Sequence, residues 1–156
     1  MKNFRSHAKI LEFPNHWFYE NELEACGPQA VTHAFAQWQH HPRPERRFPV
    51  IFHAVAGQDE REASSPSYFN RLEAIQVKTY VDLLVSGGLG SIHAPRWDVS
   101  SDPISAATEV GVITPYFQQA KKIRQLLANT PSSAAQVASV ELFQGQVRYL
   151  SLLCLP

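Results

Sequence analysis

Glu109-Val110-Gly111-Val112-Ile113-Thr114-Pro115-Tyr116, followed by Phe117-Gln118-Gln119-Ala120-Lys121-Lys122-Ile123-Arg124-Gln125-Leu126-Leu127-Ala128, reads as a strand that hands over directly to a helix. The first part is apolar and β-branched, and Thr-Pro closes it. In the second part Phe117, Ala120, Ile123 and Leu127 recur at helical spacing, and Thr130-Pro131-Ser132-Ser133 stops the helix. A further strand is expected over about Gln136 to Val140, and another over Arg148 to Cys154. Upstream, Phe48 to Val55 is a short apolar run suited to a buried parallel strand. Asn70 and Glu73 make a capping-box-like start to a helix that carries Val77, Tyr80, Val81 and Leu84, and Gly87-Gly88 ends it.

Strand alternating with helix predicts an α/β domain with a mostly parallel sheet flanked by helices. Ligands of such sheets sit at the carboxyl ends of the strands, where Thr114-Pro115 and the Phe143-Gln144-Gly145 turn fall. Residues 7 to 25 read as a helix interrupted early at Pro14, with Ile10, Leu11, Phe13, Trp17, Phe18 and Leu23 as its apolar face. Residues 26 to 47 read as an irregular connection. Gly57 to Phe69 reads as a polar loop that caps the next helix. Residues 86 to 108, rich in Gly, Ser and Pro, read as a flexible surface insertion.

Composition narrows the function classes. The 156 residues suit one domain, and 14 Lys plus Arg balance 14 Asp plus Glu, so no global field recruits a polyanion. Nucleic-acid contacts must then be local. Cys26 and Cys154 form no spaced pair, which fits a reduced, intracellular compartment rather than a disulfide scaffold. No signal peptide is visible, and the longest apolar run, Tyr149 to Leu155, is too short to span a bilayer, so no membrane partner is expected. His33, His40 and His41 have no carboxylate or cysteine at metal-ligand spacing, so no metal site is expected. Cys26 lacks an identifiable histidine partner, no Gly-x-Ser-x-Gly elbow occurs, and no Gly-x-x-x-x-Gly-Lys-Ser/Thr phosphate loop occurs.

Three separated motifs carry a resemblance: Asn3-Phe4-Arg5-Ser6-His7, Gly111-Val112-Ile113-Thr114-Pro115-Tyr116, and Ser139-Val140-Glu141-Leu142-Phe143-Gln144-Gly145-Gln146. In this order they resemble the second RecA-like motor domain of Upf-type superfamily 1 RNA helicases. The stretch Gly57-Gln58-Asp59-Glu60-Arg61-Glu62-Ala63-Ser64-Ser65-Pro66-Ser67-Tyr68-Phe69-Asn70 is similar to that of the Armitage/Mov branch, which serves RNA silencing. On residue type alone Arg5 reads as a surface charge, and Thr114 and Ser139 as turn formers.

The resemblance implies sharper roles. Arg5 would be the catalytic finger on the γ-phosphate of ATP, Phe4 would pack on the adenine, and Gln144-Gly145 would couple nucleotide state to strand grip. Thr114, Pro115 and Ser139 would contact the backbone of single-stranded RNA. ATP and Mg²⁺ would act only in the complete enzyme, with the first RecA-like helicase domain as partner and silencing-pathway proteins as further ones. The sequence departs from the family in places. Phe117 stands where the family has arginine, Val147 where it has glutamate, and Glu141-Leu142 replaces a more acidic pair. The tail stops before the motif that supplies a second arginine finger. The expectation is therefore residues 1–156 as a partial C-terminal motor domain, inactive alone. The alternative is a truncated interaction or regulatory fragment that binds RNA or a partner helicase.

Overall fold

A computed structural model of the chain describes residues 1–42, 48–86, 107–144, 146 and 150–155. The chain packs as two units, one of residues 1–53 and one holding the described residues from 54 onward. In the first, β1 (Lys2–Asn3) pairs in parallel with β2 (Glu24–Ala25), and the connection between them carries α1 (Ala8–Phe18). The helix stops seven residues short of the expected end, because Glu20 (φ 52°) and Asn21 (φ 63°) turn the chain back. Asn15 locks that turn: its Oδ1 accepts from Leu23 N at 2.8 Å and its Nδ2 donates to Leu23 O at 3.0 Å. Pro14 lies within α1 and does not interrupt it. Only Leu11 of the expected apolar face is buried; Ile10, Phe13, Trp17 and Phe18 are exposed. The stretch expected to be irregular contains α2 (Gln29–Thr32) and a 3-10 turn at Phe35–Gln37.

The expected strand at Phe48 to Val55 does not form. Residues 48–58 pair with nothing as a strand, and Phe52 is 92% exposed. An apolar run announces burial but not the neighbour whose N–H and C=O groups would complete a ladder.

The second unit opens with a hairpin where a loop was expected: β3 (Asp59–Arg61) antiparallel to β4 (Tyr68–Asn70). Asn70 then caps α3 (Arg71–Ser86), its Oδ1 accepting from Leu72 N at 3.1 Å and Glu73 N at 3.2 Å. The Glu73 carboxylate does not complete a capping box; it accepts from the Cys154 thiol at 3.2 Å. A three-stranded parallel sheet follows, with β5 (Val110–Ile113) between β6 (Gln136–Ala138) and β7 (Leu150–Leu153). Val110 and Val112 are wholly buried, as expected of a strand covered on both faces. The strand–turn–helix reading of the opening stretch holds, since β5 leads into α4 (Phe117–Leu127). Its face differs at one end: Ala120, Ile123 and Leu127 are buried, but Phe117 is exposed. β6 ends two residues early because Ser139 starts a short helix, α5 (Val140–Phe143). The expected insertion at 86–108 falls, apart from Ser86, Ala107 and Thr108, outside the described residues.

Helices α3 and α4 pack on one another and against β5 and β6 respectively. Ala74, Val77, Val81 and Leu84 of α3 face the core. A buried polar clamp joins these layers. Gln119 has no exposed surface; its Oε1 accepts from Asn70 N at 2.8 Å, and its Nε2 donates to Asn70 O at 3.2 Å and Cys154 Sγ at 3.2 Å. Among the described residues no helix is long and apolar enough to cross a membrane.

Two outcomes follow from this clamp. Gln119→Leu strips the buried Asn70 N–H of its acceptor and its C=O of the amide donor, so it should lower unfolding free energy by about 1–3 kcal/mol in urea titration. Burial, with the Glu73 carboxylate adding to it, pushes the Cys154 thiol from its ordinary 9.0 up to about 12. A raised pKa means the folded state keeps a proton that the unfolded chain releases. Its stability contribution is therefore intact below pH 9 and falls as pH rises from 9 towards 12. At neutral pH a thiol reagent should modify the half-buried Cys26 in the folded chain and Cys154 only after unfolding, which counting labelled thiols by mass spectrometry checks.

Candidate functional site

In the first unit the Asn3-to-His7 element is a rigid turn with two outward side chains. Asn3 Oδ1 accepts from Arg5 N at 3.0 Å and Ser6 N at 2.9 Å, so a single side chain sets the turn. The Asn3 carbonyl accepts from Cys26 N at 2.7 Å, which ties the turn to the end of β2. Gly27 lies directly against it. A Cβ there would come within 2.8 Å of Phe4 O and 2.7 Å of Thr32 Cγ2, so the close approach requires glycine. Phe4 is 62% exposed, and Arg5 is exposed beside it. The backbone is held while the aromatic ring and the guanidinium stay available to a ligand.

His7 closes the element. Its Nδ1 accepts from Lys9 N at 3.0 Å, capping α1, and its ring lies 4.1 Å from that of His33. Burial, and then the nearby His33 and Lys9, push the His7 imidazole below its ordinary 6.5. The cap needs a bare nitrogen, so proton binding and capping compete for one lone pair.

In the second unit the carboxyl ends of the three strands meet. The register pairs Ile113 with Ala138, and Thr114 N donates to Ala138 O at 3.1 Å, which sets Thr114 and Ser139 side by side. Cys154 N donates to Ile113 O at 2.9 Å from the other flank. Thr114 is 1% exposed, and its Oγ1 accepts from Tyr116 N at 3.5 Å, so this hydroxyl shapes the turn from inside. Pro115 is exposed and Ser139 half-buried. The Ser139 hydroxyl and the local backbone N–H hold the Glu141 carboxyl below the ordinary carboxylate range. Gln144 is exposed, its N–H bonded to Glu141 O at 3.2 Å, whereas Gly145 and Val147 lie outside the described residues. Gly27 falls in the stretch that the sequence reads only as an irregular connection. The Gly27-Pro28 pair was its only signal, and the chain contact that demands glycine lies 23 residues away at Phe4.

The AAA domain family matches residues 1–153. The chain belongs to that family. It is 42% identical over 146 residues to the RNA helicase Mov10l1 of Homo sapiens, covering 94% of this chain and 11% of that protein. It is 39% identical over 155 residues to the putative helicase mov-10-B.1 of Danio rerio, covering 95% of this chain and 14% of that protein. A regulator of nonsense transcripts 1 homolog of Arabidopsis thaliana is 32% identical over 161 residues, with 97% of this chain and 11% of that protein covered. The chain thus spans a small part of the relatives it matches. Its fold is that of a RecA-like domain of superfamily 1 RNA helicases, with the parallel sheet and flanking helices described above.

The His7 cap gives a pH dependence. A depressed histidine pKa means stability is full above 6.5 and is lost as pH falls towards the folded value. His7→Asn keeps a capping oxygen that does not titrate in this range. Its melting temperature should fall less than the wild type's between pH 7.5 and 5.5 in a thermal scan, by roughly the histidine-linked part of the change.

Proposed function

We propose that the chain is the second motor domain of an ATP-dependent RNA helicase and has no turnover alone. The observation that carries this reading is the Asn3–His7 turn, which presents Phe4 and Arg5 outward on a fixed backbone in a member of a helicase family without a phosphate loop. Arg5 supplies what the transfer of a phosphoryl group asks for: a planar, permanently charged group for the charge spread over the equatorial oxygens. Phe4 offers its π face to the adenine. The first RecA-like domain, absent from these residues, would hold ATP and the Mg²⁺ that neutralises phosphate charge. Gln144 and Gly145, following the strand ends, would pass nucleotide state to the edge formed by Thr114, Pro115 and Ser139, where single-stranded RNA would lie. Domain closure and reopening would then move the strand by steps. The family resemblance extends this to 5′-to-3′ movement, a cytoplasmic setting and a role in RNA silencing.

One observation favours a second reading. Among the described residues β7 borders only β5, and its last paired residue Leu153 and Leu155 beyond it are exposed, which suits a chain that binds a partner helicase. Reconstitution separates the two. The purified chain should release no phosphate from ATP with RNA present. Mixing it with the first RecA-like domain of a Mov10-type helicase should restore RNA-stimulated hydrolysis. Arg5→Ala should then lower the rate by roughly 10³-fold or more. Association without hydrolysis would favour the partner-binding reading, and turnover by the chain alone would sink both.

A further inference from the structure

Three Ser/Thr-Pro pairs occur in the chain: Ser65-Pro66, Thr114-Pro115 and Thr130-Pro131. Their hydroxyls are placed very differently. Thr114 is buried, and its Oγ1 lies inside the turn after β5. The Thr130 Oγ1 donates to Leu127 O at 2.6 Å and accepts from Ser132 N at 3.2 Å, so both of its roles are filled. Ser65 stands half-buried on the hairpin tip between β3 and β4. Its Oγ accepts from Ser67 N at 3.3 Å, and its proton has no acceptor among the described residues. That proton is the one a phosphoryl transfer removes. The backbone suits the same chemistry, because a residue before proline is driven to the extended conformation in which a segment enters a kinase cleft.

The space beside Ser65 suits an anion. Arg61, Ala63, Ser64, Ser65 and Pro66 line an open hollow of about 300 Å³ on this tip. Successive strand side chains point to opposite faces, which takes the neighbouring carboxylates away from it. Glu60 pairs with Arg71 at 2.8 Å, and Glu62 with Lys122 at 2.6 Å. Lys122 above all holds the Glu62 carboxyl below the ordinary carboxylate range. Arg61 makes no ion pair among the described residues; its guanidinium is exposed, 5.8 Å from the centre of the Tyr68 ring. The hollow therefore brings an unpaired guanidinium and an uncommitted hydroxyl together, while the flanking carboxylates are already neutralised.

We propose that Ser65 is a phosphorylation site for a proline-directed kinase, with Arg61 as the group that captures the phosphate. In the transfer, Ser65 Oγ attacks the γ-phosphorus of the ATP that the kinase holds. The new O–P bond forms as the bond from that phosphorus to the β–γ bridging oxygen breaks; ADP leaves, and the hydroxyl proton passes to the kinase's base. The product carries a charge of about −1.5 to −2 at neutral pH, and its oxygens can take two parallel N–H···O bonds from one guanidinium. Ser67, two residues on, accepts from Gln118 N at 3.1 Å, so the mark sits on a tip bonded to the first turn of α4. The Ser65 site is independent of any motor activity.

The test is incubation of the whole 156-residue chain with a proline-directed serine/threonine kinase and ATP, read by intact mass and peptide mapping. One phosphate should appear, on Ser65. Ser65→Ala should lose it, Ser64→Ala and Ser67→Ala should keep it, and Pro66→Ala should slow its addition. Circular dichroism of each variant checks that the fold is intact. Phosphorus NMR then follows the second ionisation of the phosphate, which falls at about pH 6 in free phosphoserine. In the folded chain its midpoint should lie at least about half a pH unit below that of the same chain unfolded in urea, because the guanidinium favours the dianion. Arg61→Gln should abolish that difference. No phosphate on the chain, or phosphate on Ser64 or Ser67 with Ser65 bare, would overturn the site. Equal midpoints in the folded and unfolded chain, or a difference that survives Arg61→Gln, would overturn capture by Arg61.

Discussion

Gln119 has no contact with water, yet it carries a primary amide with three polar neighbours to satisfy. That constraint organises the larger unit. One side chain reaches the backbone of Asn70, where the hairpin becomes α3, and the thiol of Cys154, which follows β7. Three elements far apart in sequence are thereby held to one register. Apolar packing of Ile123, Leu127, Val81 and Leu84 supplies the driving force, but it is non-directional. The amide supplies direction, because a slip of any partner would strand a buried donor or acceptor.

A comparable division of labour runs through the first unit. Leu11, Ala36 and Trp38 are buried, while the geometry of the motif is set by hydrogen bonds of Asn3, Asn15 and His7. Polar side chains here do what turns require: they bond to nearby backbone and fix where the chain reverses. The two candidate surfaces then differ in kind. The Asn3–His7 element presents a cation and a ring, whereas the sheet edge presents rings beside a carboxylate.

What could be read in the residues depended on whether the deciding contact was local. The β5–α4 hand-over was legible because Val110, Val112 and Ile113 followed by Thr114-Pro115 specify strand and turn within eight residues. The Asn70 cap was legible for the same reason. The hairpin of β3 and β4 was not, since polar residues such as Asp59 and Glu60 hide a ladder that only pairing creates. Phe48 to Val55 misled in the other direction: strand-like residues found no strand neighbour among the described residues. Phe117 fitted the helical apolar spacing, but at the first position of α4 it lies beyond the layer that covers Ala120 and Ile123. The family motifs pointed to Arg5, Thr114 and Ser139 as candidates; that Arg5 faces water and Thr114 does not depends on packing the motifs do not encode.

The closeness of Gly27 to the Phe4 carbonyl has a thermodynamic reach beyond the turn itself. Ordering a free backbone residue costs about 1–2 kcal/mol of conformational entropy, and for Phe4 and Arg5 that cost is already met when the unit folds. Capture of a phosphate by Arg5 would then immobilise little more than its side-chain rotamers, about 2 kcal/mol at most. The finger would be a preorganised one, with its selectivity set by where the guanidinium can swing rather than by whether the loop can form.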